Sequence, residues 1–320
     1  MGTYILRRLA ISVPVLLGIT LSVYVIISLA PGDPVDALIN PEAVASLGPD
    51  FRAQQREALG LNQPIIVRYG IWLKELARGN LGYSFMDRQS IATKIGERLV
   101  PTLALMLTAL IIAIMVAVPL GVLSAIKQYS LIDYTATVLG FAAISVPSFF
   151  LGLAAIYVFA LKIPILPPAG METVGQPWSL ADSVWHLILP ALVLGLAEAA
   201  ALIRYTRSSM LEVIRQEYVR VARSKGLRET TIMYQHALRN ALIPLVTVIA
   251  LGLPRLLGGT VIVESVFAWP GMGTLALTAV QGRDYPVIMA INLISAVTIV
   301  LSNLLADVIY AVIDPRIKYS

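Results

Sequence analysis

The sequence predicts an all-α polytopic membrane protein with six transmembrane helices and one extended segment outside the membrane. Three observations carry this expectation. Hydrophobic residues fill 58% of the 320 positions and charged residues only 13%, with a mean hydropathy of +0.80, whereas a soluble domain carries about a quarter charged residues. Six stretches reach the roughly 20 apolar residues with which a helix crosses hydrocarbon while satisfying its own backbone. Basic residues gather in alternate loops, as they do on the cytoplasmic side of polytopic proteins.

The first span, Leu9–Ala30, follows Arg7 and Arg8. Its apolar run exceeds the roughly 7–15 residues of a signal-peptide core, and no small-x-small cleavage site precedes Pro31, so it is expected to remain as a span. A segment of soluble-like composition then runs from Pro31 to Pro101, opening with the turn-rich Pro31-Gly-Asp-Pro34. Within it Ile65, Tyr69, Trp72 and Leu76 recur at helical spacing, with Arg68, Lys74, Glu75 and Arg78 off the stripe. That pattern predicts an amphipathic helix, resting on the membrane surface or packed on the spans, as a structural cap or a docking surface.

Five further spans are expected near Thr102–Ala125, Tyr134–Leu161, His186–Ile203, Ala241–Phe267 and Val287–Ile313. Pro14, Pro119, Pro147, Pro190, Pro244 and Pro254 fall inside the six. Prolines are tolerated in membrane helices where neighbours re-satisfy the freed carbonyls, and they suggest kinked helices around a pathway. The chain thus divides into 1–30 (start and first span), 31–101 (outer segment) and 102–320 (a five-span core with an inner loop at 204–240).

With the N-terminus inside, the inner segments hold thirteen basic residues against five acids, Asp133, Glu212, Glu217, Glu229 and Asp314. The outer segments are near neutral. Both termini are therefore expected in the cytoplasm. This asymmetry also accounts for the pI of 9.4, and no aromatic-basic stacking array accompanies it, so a nucleic-acid partner is not expected. The sequence has no cysteine, which excludes disulfides and thiolate metal sites.

The inner loop from Arg204 to Asn240 is the most informative segment. Leu211, Ile214, Tyr218 and Val221 form a stripe at helical spacing, Arg215, Arg220 and Arg223 lie off it, and Gly226 follows as a C-terminal stop. A second short helix is expected near Glu229. Two short helices joined at a glycine make a knob suited to a groove on a soluble partner, or a basic amphipathic loop on anionic headgroups. Both readings stand at this point.

Four ionisable side chains fall within spans: Glu198, Arg255, Glu264 and Asp307. Each costs about 2.5–3.5 kcal/mol on an insertion scale, so they are candidates for the pathway or for buried structural pairs. Glu198 sits among Ala197, Ala199, Ala200 and Ala201, where a close helix neighbour or a water-filled path can accept it. Glu264 follows Gly258-Gly259-Thr260, with solvation at the interface as the alternative. Asp307 reads as a structural hydrogen-bonding group. Arg255 can pair with any of the acids.

Catalytic chemistry finds little support. The two histidines, His186 and His236, belong to no metal or catalytic spacing; His186 beside Trp185 reads as an interfacial anchor. There is no Gly-x4-Gly-Lys-Ser/Thr loop for ATP, and no Ser-His-Asp or paired-carboxylate arrangement. No cofactor is expected in the chain.

Six short motifs, in order along the whole chain, resemble one family. They are Tyr4-Ile-Leu-Arg-Arg8, Ala30-Pro-Gly-Asp-Pro34, Gly79-Asn-Leu-Gly-Tyr-Ser84, Glu217-Tyr-Val-Arg-Val-Ala-Arg-Ser-Lys-Gly-Leu227, His236-Ala-Leu-Arg-Asn-Ala-Leu-Ile-Pro244 and Asp314-Pro-Arg-Ile-Lys-Tyr319. The chain resembles the first of the two permease types of dipeptide, oligopeptide and nickel-class ABC importers. That resemblance implies a type I importer core like those of the maltose and methionine importers. In such importers a Glu-Ala-Ala-x3-Gly loop forms the coupling helix. Here Arg220, Val221, Ala222 and Gly226 align with it, Arg220 replaces the Glu, and Leu238-Arg239 stands where the later Leu-Pro is found. Glu217 offers an acid three residues earlier.

The implied ATPase-coupling residues are Glu217, Tyr218, Val219, Arg220, Val221, Ala222, Arg223, Ser224, Lys225, Gly226, Leu227 and Arg228. The implied partners are a homologous second permease, two ABC ATPases that hold ATP and magnesium, an extracytoplasmic substrate-binding protein, and membrane lipid. Peptides are the expected cargo, with nickel, glutathione or oligosaccharides as alternatives within the family. A secondary carrier relaying protons through the span acids is a competing expectation. An intramembrane enzyme lacks a nucleophile-base pair.

Overall fold

A computed structural model describes residues 2–31, 35 and 49–313, and these are helical almost throughout, with one isolated antiparallel bridge between Tyr83 and Ser90. In chain order the helices are α1 (Gly2–Leu29), α2 (Pro49–Ala58), α3 (Ile65–Ala77), α4 (Ile91–Ile126), α5 (Leu131–Ser145) and α6 (Ser148–Ile156), which widens into a π turn over Tyr157–Lys162. They continue with α7 (Leu180–Ile214), α8 (Glu217–Ser224) and α9 (Glu229–Thr231), which passes through a second π turn, Ile232–Leu238, into α10 (Arg239–Val266). α11 (Met272–Gln281) and α12 (Tyr285–Ile313) complete the chain. By length and composition Leu6–Leu29, Ile91–Ile126, Leu180–Ile214 and Tyr285–Leu305 can each cross a membrane, and α10 occupies the place of the fifth predicted span.

The third predicted span, Tyr134–Leu161, is not one helix. α5 and the helical stretch Ser148–Lys162 meet at 102°. Pro147 has no N–H to continue the ladder and forces its predecessor out of helical geometry, so Val146 sits at φ −91°, ψ 126°. Pro14, Pro119 and Pro190 lie inside unbroken helices. The second predicted span also begins earlier than its apolar core, because α4 starts at Ile91 and carries Lys94, Glu97 and Arg98 in its first turns.

Two compact units emerge. Among the described residues, the first comprises those up to Val100 with Gly271–Val300, and the second Pro101–Pro270 with those from Leu301 to Ile313. In the first, the amphipathic stripe of α3 packs on α1: Tyr69 is buried, its hydroxyl 2.9 Å from Thr20 Oγ1, and its ring meets Tyr24 edge-on at 5.5 Å and stacks on Trp72 at 5.9 Å. The turns of Gly79-Asn-Leu-Gly-Tyr-Ser84 need φ of +79° at Gly79 and +84° at Gly82. They bring Ser84 and the Phe85 N–H to the buried carboxylate of Asp284, which accepts from both. Ile91 and Ile95 close the core of this unit with Met272, Ala279, Val287, Ala290 and Ile291.

In the second unit α4, α7 and α10 form the centre. Leu105, Met106 and Ala109 of α4 pack on Leu189, Val193 and Leu194 of α7 and on Val263, Phe267 and Trp269. Small residues set the approach, as membrane helix pairs require. A Cβ on Gly195 would lie 2.7 Å from the Ala109 carbonyl oxygen, and one on Gly121 would lie 2.5 Å from Thr206 Cβ.

Candidate coupling surface and membrane-embedded charges

α7 runs on past its apolar core to Ile214, where the chain turns at Arg215–Gln216 before α8. That break resets the helical phase, so the predicted stripe Leu211, Ile214, Tyr218 and Val221 is not one face. Leu211 and Ile214 pack inward, whereas Tyr218 and Val221 are 43% and 53% exposed. The anchors of α8 are instead Val219, fully buried, and Ala222, set against Val122 and Ala125 of α4, Met210 of α7, and Ile232, Met233, Ala237 and Ala241. Every other residue from Glu217 to Arg228 is exposed. The sequence therefore builds a knob with two apolar anchors beneath and a mixed apolar and basic outer face.

The turn after α8 is held from two sides. Gly226 adopts φ +75° and donates its N–H to the Arg223 carbonyl at 2.9 Å, a left-handed position that favours glycine. Across it the Arg223 guanidinium grips Glu229, Nη2 to Oε1 at 2.5 Å and Nε to both oxygens at 3.2 Å. Hydrogen bonding from Arg223 holds the Glu229 carboxyl below the ordinary glutamate value, and the same bond raises the guanidinium. Glu229 is thus the acid that closes this turn, and Glu217 forms no ion pair among the described residues. Beside the knob a cleft of about 640 Å3 opens between Tyr218, Gln235, His236, Arg239, Asn240 and Ile243.

The span charges have different surroundings. Glu264 is not solvated at an interface but wholly buried, and Thr102 Oγ1 donates to its Oε1 at 2.6 Å. Next to it the Trp269 indole N–H donates to the Pro101 carbonyl at 3.0 Å. Glu198 is half-buried on α7, directly before buried Ala199 and Ala200, and Asp307 is half-buried towards the end of α12. The side chain of Arg255 and the motif Asp314–Tyr319 lie outside the described residues. His186 is not an interfacial anchor either: it is 6% exposed, with Nδ1 3.0 Å from the Asp182 carbonyl oxygen. Among the described residues no three His, Asp or Glu side chains gather as a metal site.

One ion pair escaped sequence reasoning. Asp133, 5% exposed at the start of α5, receives Arg207 of α7 in a bidentate fork, Nε to Oδ1 at 2.6 Å and Nη2 to Oδ2 at 2.8 Å. Ser124 Oγ at the end of α4 donates at 2.7 Å and the Tyr129 N–H at 3.0 Å. All carboxylate lone pairs thus face donors, the condition under which a buried charge is tolerated. Three helices are tied at one end by a single side chain.

Comparison with known proteins agrees with this architecture. Residues 117–319 match the model of the binding-protein-dependent transport system inner membrane component, and residues 1–106 match the N-terminal model for the membrane component of the same systems. The oligopeptide transport system permease protein AppB of Bacillus subtilis is 44% identical over 320 residues, covering all of both chains. The dipeptide transport system permease protein DppB of Alkalihalophilus pseudofirmus is 39% identical over 340 aligned positions, and the glutathione transport system permease protein GsiC of Salmonella choleraesuis 38% over 319, again covering both chains fully. Among solved structures, inward-facing forms of the MetNI methionine ABC transporter share the fold at 16% identity and a TM-score of 0.56, over 69% of this chain and 96% of that one. With both family models and relatives of this length in agreement, the chain belongs to the inner-membrane permease components of binding-protein-dependent ABC transport systems.

Proposed function

We propose that this chain is one permease half of an ATP-driven importer of di- or oligopeptides, driven through the knob Glu217–Arg228. The observation that carries this is the knob itself: Val219 and Ala222 fix it to α4, α7 and α10, while Tyr218, Val221 and the basic residues face outward. A force applied to that face is transmitted into the packed helices, since close-packed interiors move as units. The partner is a pair of ABC ATPases that hold ATP and magnesium, and a homologous second permease completes the path. An extracytoplasmic binding protein delivers the cargo. The knob and both termini face the cytoplasm, consistent with the basic excess in the inner loops. Peptide cargo is supported by the likeness to the oligopeptide permease AppB and the dipeptide permease DppB; the glutathione permease GsiC makes glutathione the second candidate.

Substituting Gly226 tests the lever. A side chain there meets open space, so the effect of Gly226→Val comes from the φ of +75° and not from a clash. Forcing a β-branched residue into that conformation costs about 1–3 kcal/mol, enough to shift the knob to another backbone geometry. In proteoliposomes the variant is expected to insert and assemble normally while ATP hydrolysis proceeds without peptide uptake. Wild-type coupling would exclude the knob as the lever.

A further inference from the structure

A cavity of about 340 Å3 lies in the first unit, between the last turns of α1, the face of α3 that carries Arg68, Ile71, Trp72 and Glu75, the Gly79–Phe85 turns and the first two turns of α12. Its depth in the membrane follows from its walls. Tyr24 and Ser28 stand near the end of one membrane-length helix, and Tyr285 and Met289 at the start of another. Such a site lies at a membrane–water boundary, where Tyr and Trp concentrate; Tyr24, Trp72, Tyr83 and Tyr285 line it.

One cation faces this space. Arg68 donates from Nη2 to Ser28 Oγ at 3.3 Å and sits 5.8 Å over the Tyr24 ring, but its Nε is buried with no hydrogen-bond partner. No carboxylate among the described residues pairs with it. Glu75, the acid on the wall, is already taken by Arg78 at 3.1 Å and Asn80 at 3.0 Å. A buried guanidinium donor left unmade is costly, and none of the described residues supplies the acceptor that would relieve it. Ile27, Ile71 and Met289 give the wall an apolar stretch, with Gln63 and Asn80 as its other polar side chains.

We infer that this cavity is a specific site for an anionic phospholipid, its phosphate on Arg68 and the upper part of an acyl chain on Ile27, Ile71 and Met289. The volume suits a headgroup and the first stretch of a tail, at the lower end of ligand-sized cavities. A free phosphate would satisfy Arg68 but leave the apolar wall wet. A zwitterionic headgroup would bring its own cation to a site that already has one. Bound lipid would brace α3 against α1 and α12.

The test is native mass spectrometry of the full-length protein, purified with whatever subunits accompany it from bilayers of equal phosphatidylglycerol and phosphatidylcholine. Wild type is expected to retain one phosphatidylglycerol in about tenfold preference, the effect of one charge-assisted contact. Arg68→Gln should reduce retention to the bulk ratio, and Arg68→Lys should keep part of the preference. Ile71→Trp, which fills the cavity while leaving the cation, should lose retention as well, and it decides the matter if Arg68→Gln does not fold. Equal retention of both lipids, preference for phosphatidylcholine, or retention unchanged in both Arg68→Gln and Ile71→Trp would overturn the assignment. So would displacement of the lipid by millimolar inorganic phosphate, which would show a simple anion site.

Discussion

Replacing Asp133 with alanine removes the acceptor at which α4, α5, α7 and the Tyr129 turn converge. The loss comprises two charge-assisted bonds from Arg207 at 2.6 and 2.8 Å and two further bonds from Ser124 and Tyr129 at 2.7 and 3.0 Å. Breaking a buried pair by removing one partner costs about 3–5 kcal/mol, because the remaining charge is stranded. Arg207 is 28% exposed and can recover some water, so the low end, about 3 kcal/mol, applies. For a unit of this size that is a fall in Tm of roughly 6–12 °C, measurable by fluorescence-detected size-exclusion chromatography after heating. The double variant Asp133→Ala with Arg207→Ala strands no charge and should cost less than the two single variants summed. A Tm for Asp133→Ala within a degree of wild type, or strict additivity, would refute the clamp.

Other expectations concern packing and pH. Gly195→Leu drives a side chain into the Ala109 carbonyl, 2.7 Å from where its Cβ would lie, and should cost at least about 1–3 kcal/mol, read as lost thermal stability; an unshifted midpoint would mean α4 and α7 do not approach so closely. Trp269→Phe deletes the bond to the Pro101 carbonyl and should cost about 1 kcal/mol in the same assay, with no loss if that bond is not formed. The Arg223–Glu229 pair makes order in the knob depend on pH. Because the folded Glu229 carboxyl lies below its ordinary 4.5, its contribution is complete above pH 4.5 and is lost as pH falls through the lower folded value. Hydrogen exchange at Gly226 and Leu227, corrected for intrinsic rates, should rise on acidification in wild type and be raised at all pH values in Glu229→Gln; identical profiles would dismiss the pair.

The helices were legible from apolar length, but their interruptions were not. Pro147 breaks its span whereas Pro14, Pro119 and Pro190 do not, since the outcome depends on whether neighbours re-satisfy the freed carbonyls. The early start of α4 did leave a trace: Ile91, Ile95 and Leu99 recur every four residues through a charged stretch and pack in the core, a periodicity outweighed by Lys94, Glu97 and Arg98. In the inner loop, Gly226 and the helix start at Glu229 could be read locally. The phase of α8 could not, because the break at Arg215–Gln216 carries neither Gly nor Pro. Asp133 and Arg207 stand 74 residues apart, and no local spacing links them. Interfacial solvation stayed open as an alternative for Glu264 because its hydrogen-bond partner Thr102 is on a helix distant in sequence.

The central claim is that the outer face of the knob meets an ATPase. The chain contains no native cysteine, so Val221→Cys introduces a single thiol on that face, and Val219→Cys places one on the buried anchor about half a turn away in the same helix. Within the assembled importer in membranes, a short thiol-to-amine crosslinker should join the Val221→Cys variant to the ATPase subunit and leave the Val219→Cys variant unlinked. Crosslinking of neither variant, or of both equally, would contradict the account.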